Sequence, residues 1–190
     1  MIGEKFLISY VAGYALGDGH LEPGNNRIIL FSSNEVFAEK LCKILHKLDY
    51  RYSKFWDKGA NEWKIAIRSK KLREILTGRY GIPPGNKARA KIVLGVAEEE
   101  IESFLAGIFD AEGWLELDKN KYTRIRLKMM NEFVVSFVYT KLQSMHIEAR
   151  SHKRTDGSFV VEVNKQRDIK SFREKIMLLH PKWRQFYGYL

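Results

Sequence analysis

Val11-Ala-Gly-Tyr-Ala-Leu-Gly-Asp18-Gly19 comes back further along the chain as Leu105-Ala-Gly-Ile-Phe-Asp-Ala-Glu112-Gly113, with Glu112 standing 94 positions after Asp18. Two copies of one sequence plan are expected to fold alike, so the repeat is read before any single element. Downstream, Arg27-Ile-Ile-Leu-Phe-Ser-Ser-Asn34-Glu35 lies against Arg124-Ile-Arg-Leu-Lys-Met-Met-Asn131-Glu132 at an offset of 97, so about three residues entered the second copy between motif and strand. Leu45 and Leu48 match Leu142 and Met145, and Trp63-Lys-Ile-Ala-Ile67 matches Phe159-Val-Val-Glu-Val163.

Working outward from the motif, each copy predicts a helix (about 5–17 and 100–111) and then a hairpin of two strands (about 20–33 and 114–130). The hairpins break at Pro23-Gly24-Asn25-Asn26 and at Asp118-Lys119-Asn120-Lys121. Apolar residues at helical spacing, such as Phe37, Leu41, Leu45 and Leu48, predict a second helix over 34–49 and again over 131–146. Two more strands follow (50–57 with 62–69, and 147–154 with 158–164), and a last helix starts near Lys70 and near Arg167. The expected class is α+β, two pseudo-symmetric αββαββα halves. Gly81-Ile-Pro-Pro-Gly85 stops a helix and the acidic run Glu98 to Glu100 opens the next, which divides the chain into a first half 1–80, a linker 81–99 and a second half 100–190.

The 190 residues carry 33 Lys and Arg against 23 Asp and Glu, a net charge of +10, which points to a polyanionic partner, either nucleic acid or an anionic membrane surface. No apolar run reaches the roughly 20 residues of a bilayer span, and Met1 to Tyr10 do not read as a signal peptide. Cys42 stands alone, so neither an internal disulfide nor a zinc cluster is expected. These features suggest an intracellular protein with no membrane partner.

Gly13 and Gly17 on one motif helix, and Gly107 and Ala111 on the other, stand four apart and strip one face of side chains, so the two helices can approach closely. Each motif ends in a carboxylate followed by glycine. An acid at a helix C-terminus meets partial negative charge, and two such acids brought together repel one another. The arrangement makes sense if cations sit between Asp18 and Glu112; if each helix stood alone, they would be ordinary exposed acids.

Both copies match the nine-residue LAGLIDADG pattern, and the second differs from it at three positions. Over nearly its whole length the chain therefore resembles the LAGLIDADG homing endonucleases, in the monomeric, two-motif, intron-encoded form. The resemblance implies motif helices at the interface beneath a DNA-binding saddle of antiparallel sheets. It implies Mg²⁺ (or Mn²⁺), two or three ions, held by Asp18 and Glu112 with the carbonyls of Gly17 and Ala111, and a double-strand break with short 3′ overhangs at a long asymmetric site. It also implies a lysine near each metal site, for which Lys87 and Lys182 stand in about the right place. The first motif has Leu16 where the second has Asp110; Asp110 is expected at the helix surface or interface, not as a ligand. Where relatives often place a polar glutamine, this chain offers Ser32 and Met129 or Lys128.

Strand alternation supplies the DNA-binding candidates. In Arg124-Ile-Arg126-Leu-Lys128 basic and apolar residues alternate, so one face meets the core and the other carries three positive charges. Arg27 keeps this phase in the first half, where Ile29 and Phe31 suggest apolar contacts to thymine methyls. Tyr52, Lys54, Lys64 and Arg68, with Arg150, His152 and Arg154, complete the set, while Trp56, Trp63 and Trp183 are expected to pack in the core or at sheet edges. Double-stranded DNA is the expected partner. The alternatives are an RNA-binding intron maturase acting on its own intron, and a transcriptional regulator on the same fold.

Overall fold

The protein is described by a computed structural model covering residues 3–117 and 123–188; the hairpin break expected at Asp118 to Lys121 lies outside these, as do Tyr189 and Leu190. The first half runs α1 (Glu4–Asp18), β1 (Gly19–Leu21), β2 (Arg27–Ser32), α2 (Glu35–Lys47), β3 (Tyr52–Asp57), β4 (Glu62–Arg68) and α3 (Lys70–Glu74), which continues as a π-helical turn, Ile75–Arg79. After a 3₁₀ turn at Glu98–Glu100, the second half repeats the order with α4 (Ile101–Glu112), β5 (Gly113–Leu117), β6 (Thr123–Met129), α5 (Glu132–Ser144), β7 (Arg150–Lys153), β8 (Phe159–Val163) and α6 (Gln166–Lys175). A second 3₁₀ turn, Pro181–Trp183, leads into α7 (Arg184–Gly188). The expected αββαββα order is therefore observed twice, with boundaries within a few residues of those read from periodicity.

Each half forms one antiparallel four-stranded sheet, in the orders β1-β2-β4-β3 and β5-β6-β8-β7. Asn34 and Asn131 start α2 and α5 in the same way, each accepting a hydrogen bond from the backbone N–H three residues on, Phe37 and Val134. Helix α2 covers one face of the first sheet, burying Phe37, Leu41 and Leu45 with Leu30, Ile65 and Ile67. In the second sheet Val134, Val138 and Leu142 of α5 do the same over Leu127, Val161 and Val163. Among the described residues no helix lies on the opposite face of either sheet.

Between the sheets α1 crosses α4, and their apolar residues join one continuous core. The contact is backbone to backbone. A Cβ on Gly107 would lie 2.6 Å from the Tyr14 nitrogen, one on Gly13 would lie 2.9 Å from the Phe104 carbonyl carbon, and one on Gly17 would lie 2.5 Å from Ala111 Cβ. The small-residue faces read from the sequence are thus the crossing surface itself. The linker is pinned to this centre. Tyr80, Ile82 and Ile92 are buried, and the Glu100 carboxylate, fully buried, accepts from Arg79 at 2.5 Å and from the Tyr80 hydroxyl at 3.0 Å. Glu100 thus opens the second motif helix as an internal anchor, and no helix is long and apolar enough to cross a membrane among the described residues.

Candidate functional site: two carboxylates beneath a divided sheet face

The crossing helices bring their C-termini together, and each runs straight into the first strand of its sheet at Gly19 and Gly113. Asp18 and Glu112 therefore meet at one end of the helix pair. The Gly17 position is so tight against the opposing chain that a Cβ there would sit 2.9 Å from Glu112 Cγ. Both carboxylates are half-buried, and none of the described residues hydrogen-bonds to either. Burial, followed by the negative charge of Glu112, pushes the Asp18 pKa up to about 7, while Lys182 and Lys87 pull against this. Burial raises Glu112 as well, again opposed by the two lysines. Charge at this spot is thus destabilised by the fold, and a hard cation would relieve it.

Lys87 lies in the linker, yet its ammonium sits at the end of α1, donating to the carbonyls of Ala15 (2.7 Å), Gly17 (3.0 Å) and Gly19 (2.6 Å). A cation there satisfies helix carbonyls that have no further N–H partner and opposes the helix dipole. Burial holds its pKa down to about 8, with Glu112 and Asp18 acting in the opposite direction. Lys182 takes the corresponding place at the end of α4, 3.2 Å from the Ala111 carbonyl, and burial of its ammonium holds its pKa below the usual lysine range. The two lysines read from the resemblance thus stand beside the two acids. However, the carbonyls of Gly17 and Ala111 already accept from them, so each has only its remaining lone pair for a metal.

Two residues to which sequence reading gave no part in holding the lysines place them. Asn131, beyond capping α5, donates from its amide to the carbonyls of Lys87 (2.6 Å) and Ala90 (2.8 Å), fixing the linker segment. The matched asparagines at 34 and 131 signalled a helix cap, but not this second attachment. Of the two places expected for Asp110, helix surface or interface, the structure shows the interface: it is buried, 1% exposed, accepting from the Tyr10 hydroxyl (2.6 Å) and from the backbone N–H groups of Leu179 (2.7 Å) and His180 (3.1 Å), two residues before Lys182.

The open sheet faces flank the acids. Gly17 and Glu112 share one cavity of about 740 Å³ with His20 of the first sheet, Trp114 and Lys128 of the second, and Asn86 and Lys87 of the linker. Strand pairing assigns the rest. Arg27 opposes Arg68, Ile29 opposes Ala66 and Phe31 opposes Lys64, all on the open face of the first sheet. In the second sheet Arg126 opposes Glu162, Lys128 and His152 both oppose Val160, and Arg150 opposes Glu162. Arg124 pairs with Glu116 on the same face, and Arg154 follows β7 in an exposed position.

Three candidates fall elsewhere. Tyr52 and Lys54 oppose the core residues Ile67 and Ile65, so they point to the α2 side, where Lys54 pairs with Glu39 and lies over the Trp63 ring. Strand β3 reads Tyr-Ser-Lys-Phe-Trp-Asp, without an apolar alternation to fix its phase, which explains the one-residue error in face. Ser32 opposes Trp63 and is 6% exposed, its hydroxyl donating to the Asn34 carbonyl, so it also lies on the covered side. Trp183 is buried, and Trp56 packs edge-on against Trp63 at the sheet edge.

Several open-face cations are already neutralised. Arg27 pairs with Glu22 at 2.8 Å, Lys64 with Asp57 at 2.6 Å, Arg126 with Glu116 at 2.6 Å and Glu162 at 3.0 Å, and Lys128 with Asp156 at 2.8 Å. No triad of His, Cys, Asp or Glu suited to a metal occurs among the described residues, so metal binding here requires backbone, water or substrate oxygens beside the two acids. The donor set is nevertheless all oxygen and anionic, which suits a hard divalent cation.

Residues 99–177 match the model of the LAGLIDADG-like domain. No curated protein matches the sequence. Among solved structures the fold is similar to full-length DUF199/WhiA from Thermatoga maritima, with a TM-score of 0.72 and 16% identity over 99% of this chain. This chain spans 59% of the length of that protein. It is similar to the isolated N-terminal LAGLIDADG domain of DUF199/WhiA, at a TM-score of 0.68 and 15% identity, covering 99% of this chain and 88% of that one. It is also similar to the homing endonuclease I-DmoI, in a structure with DNA and Mn, at a TM-score of 0.67 and 20% identity, covering 94% of this chain and 99% of that one. The LAGLIDADG-like domain thus matches the second half of the chain, and the fold of both halves is that of these structures.

Proposed function

We propose that the protein is a site-specific endonuclease that makes a metal-dependent double-strand break in DNA, leaving short 3′ overhangs, at a long asymmetric target of the homing type. The observation that carries this reading is the pair Asp18 and Glu112, gathered at one end of the crossed helices and desolvated there with no hydrogen-bond donor among the described residues. A protein that only binds DNA has no use for two unfavourable acids at one interface. Asp18 and Glu112 would hold Mg²⁺ or Mn²⁺, which when bound supply an activated water and stabilise the leaving oxygen. The Lys87 and Lys182 ammoniums keep positive charge beside each acid, oppose the helix dipoles and favour an anionic phosphate in the shared cavity. I-DmoI, which has the same fold, has been solved with target DNA in the presence of Mg.

The test is to incubate the protein with Mg²⁺ and a plasmid library of randomised sites, beside Asp18→Asn and Glu112→Gln, and to sequence the cut ends. Cleavage at one long sequence, reduced at least about a hundredfold or to nicking in either variant, supports the reading. Binding without cleavage at any metal concentration favours a second reading, an RNA-binding intron maturase or a transcriptional regulator on the same fold.

A further inference from the structure

Strand pairing makes the two open faces comparable position by position, and they differ in kind. Ile29 stands where the second sheet has Arg126, Phe31 where it has Lys128, Ala66 where it has Glu162, and Phe55 where it has His152. At these four positions the first face is apolar where the second is ionic or polar, while Ser53 opposite Ala66 and His20 opposite Ile29 keep polar groups beside them. The one cation inside it, Lys64, is held by Asp57 at 2.6 Å and lies 5.6 Å from the centre of the Phe31 ring. Around the apolar centre are Arg27, Arg51 and Arg68, lining with Phe55 and Ala66 a concavity of about 460 Å³. Arg51 and Arg68 have no carboxylate partner among the described residues, so this rim suits phosphates, and a protein or lipid partner is not needed to explain it.

A face with an arginine rim and a largely apolar centre positions a duplex and presents aliphatic and aromatic surface to the middle of the groove. In the major groove the apolar feature a base pair presents is a C5-methyl group, carried by thymine or by 5-methylcytosine. We propose that the first sheet recognises pyrimidine C5-methyl groups through Ile29, Phe31, Phe55 and Ala66, so that one half of the target is defined by thymine methyls and the other by charge and hydrogen bonding. This rests on the DNA-binding reading above and names what that face selects.

The test selects binding sites for the whole protein from randomised duplexes without divalent metal, then resynthesises the preferred site with deoxyuridine in place of thymidine, one half at a time. Deoxyuridine keeps the hydrogen-bonding groups of thymidine and lacks only the methyl. At ~0.8 kcal/mol per buried methyl-sized group, each replacement in the half facing the first sheet weakens binding about fourfold, while replacements in the other half have little effect. Phe55→Ser, at a position 41% exposed where the fold tolerates change, removes much of the sensitivity of that half and leaves the other unchanged. Placing 5-methylcytidine for cytidine in the same half separates the two sources of the methyl. Equal sensitivity of both halves, or none while binding persists, overturns the proposal; failure to bind any duplex overturns the DNA-binding reading with it.

Discussion

At Gly13 and Gly107 the crossing of α1 and α4 leaves no room for even a methyl group, because the opposing atoms are main-chain carbonyls and amides that cannot rotate away. Gly107→Ala is therefore expected to destabilise the fold by ~3 kcal/mol, the upper end of overpacking costs, read as a lower midpoint in urea; an unchanged midpoint would mean the helices part easily. Asp18 behaves in the opposite way. Its folded pKa of about 7 lies well above the ordinary range of an aspartate, so the site favours folding at low pH and loses that stability as pH rises through 7. In metal-free buffer Asp18→Asn should match the parent near pH 4 and be more stable at pH 8 by ~2 kcal/mol, allowing for partial solvent screening. A constant gap between pH 4 and pH 8 would show that the carboxylate is not desolvated. Asp110→Asn should cost ~2 kcal/mol, because one amide oxygen cannot replace a carboxylate that accepts from Tyr10 and two backbone N–H groups.

Among the elements, the motif helices and the strands that follow them were legible because their constraints are local and occur twice. A glycine pair four residues apart, an acid, and a terminal glycine together specify a close crossing that ends in charge. Strand β6 was legible because its alternation Arg-Ile-Arg-Leu-Lys has one greasy and one basic phase. Edge strand β3 was not, since its charged and aromatic residues fall on both faces and only pairing with β4 decides which side Lys54 takes. The placement of Lys87 was legible as a neighbourhood but not as a bond, because it depends on Asn131 reaching back from another half of the chain. Removing that reach tests the point. On the endonuclease reading proposed above, Asn131→Ala should lower the rate of one strand's cleavage more than the other's, whereas replacing Asn34, which caps α2 without touching the linker, by alanine should lower stability alone. Equal slowing of both strands would show that Asn131 acts only through overall stability.

For the molecule as a whole, net charge overstates the cations free to meet phosphate, because Arg27, Lys64, Arg126 and Lys128 are already spoken for by carboxylates. The salt dependence of DNA affinity is expected to follow the free ones. Arg124→Ala or Arg150→Ala should each reduce the slope of log affinity against log salt by about one unit, and Arg126→Ala should change it by less than half as much. The same accounting by partner applies to how the halves hold one another. Asn131 of the second half fixes the backbone of Lys87, which caps the first motif helix. Lys40 of the first half donates at 2.6 Å to the Leu179 carbonyl, and Phe37 packs its ring 4.4 Å from that of His180, steadying the segment that delivers Lys182. Each half is thus finished by braces belonging to the other. A chimera that grafts one half onto a half from a relative would keep the helix crossing, whose rules are simple, and misplace a lysine, whose rules are not. Its repair would lie in Lys40, Phe37 and Asn131, which brace the lysines and not the acids.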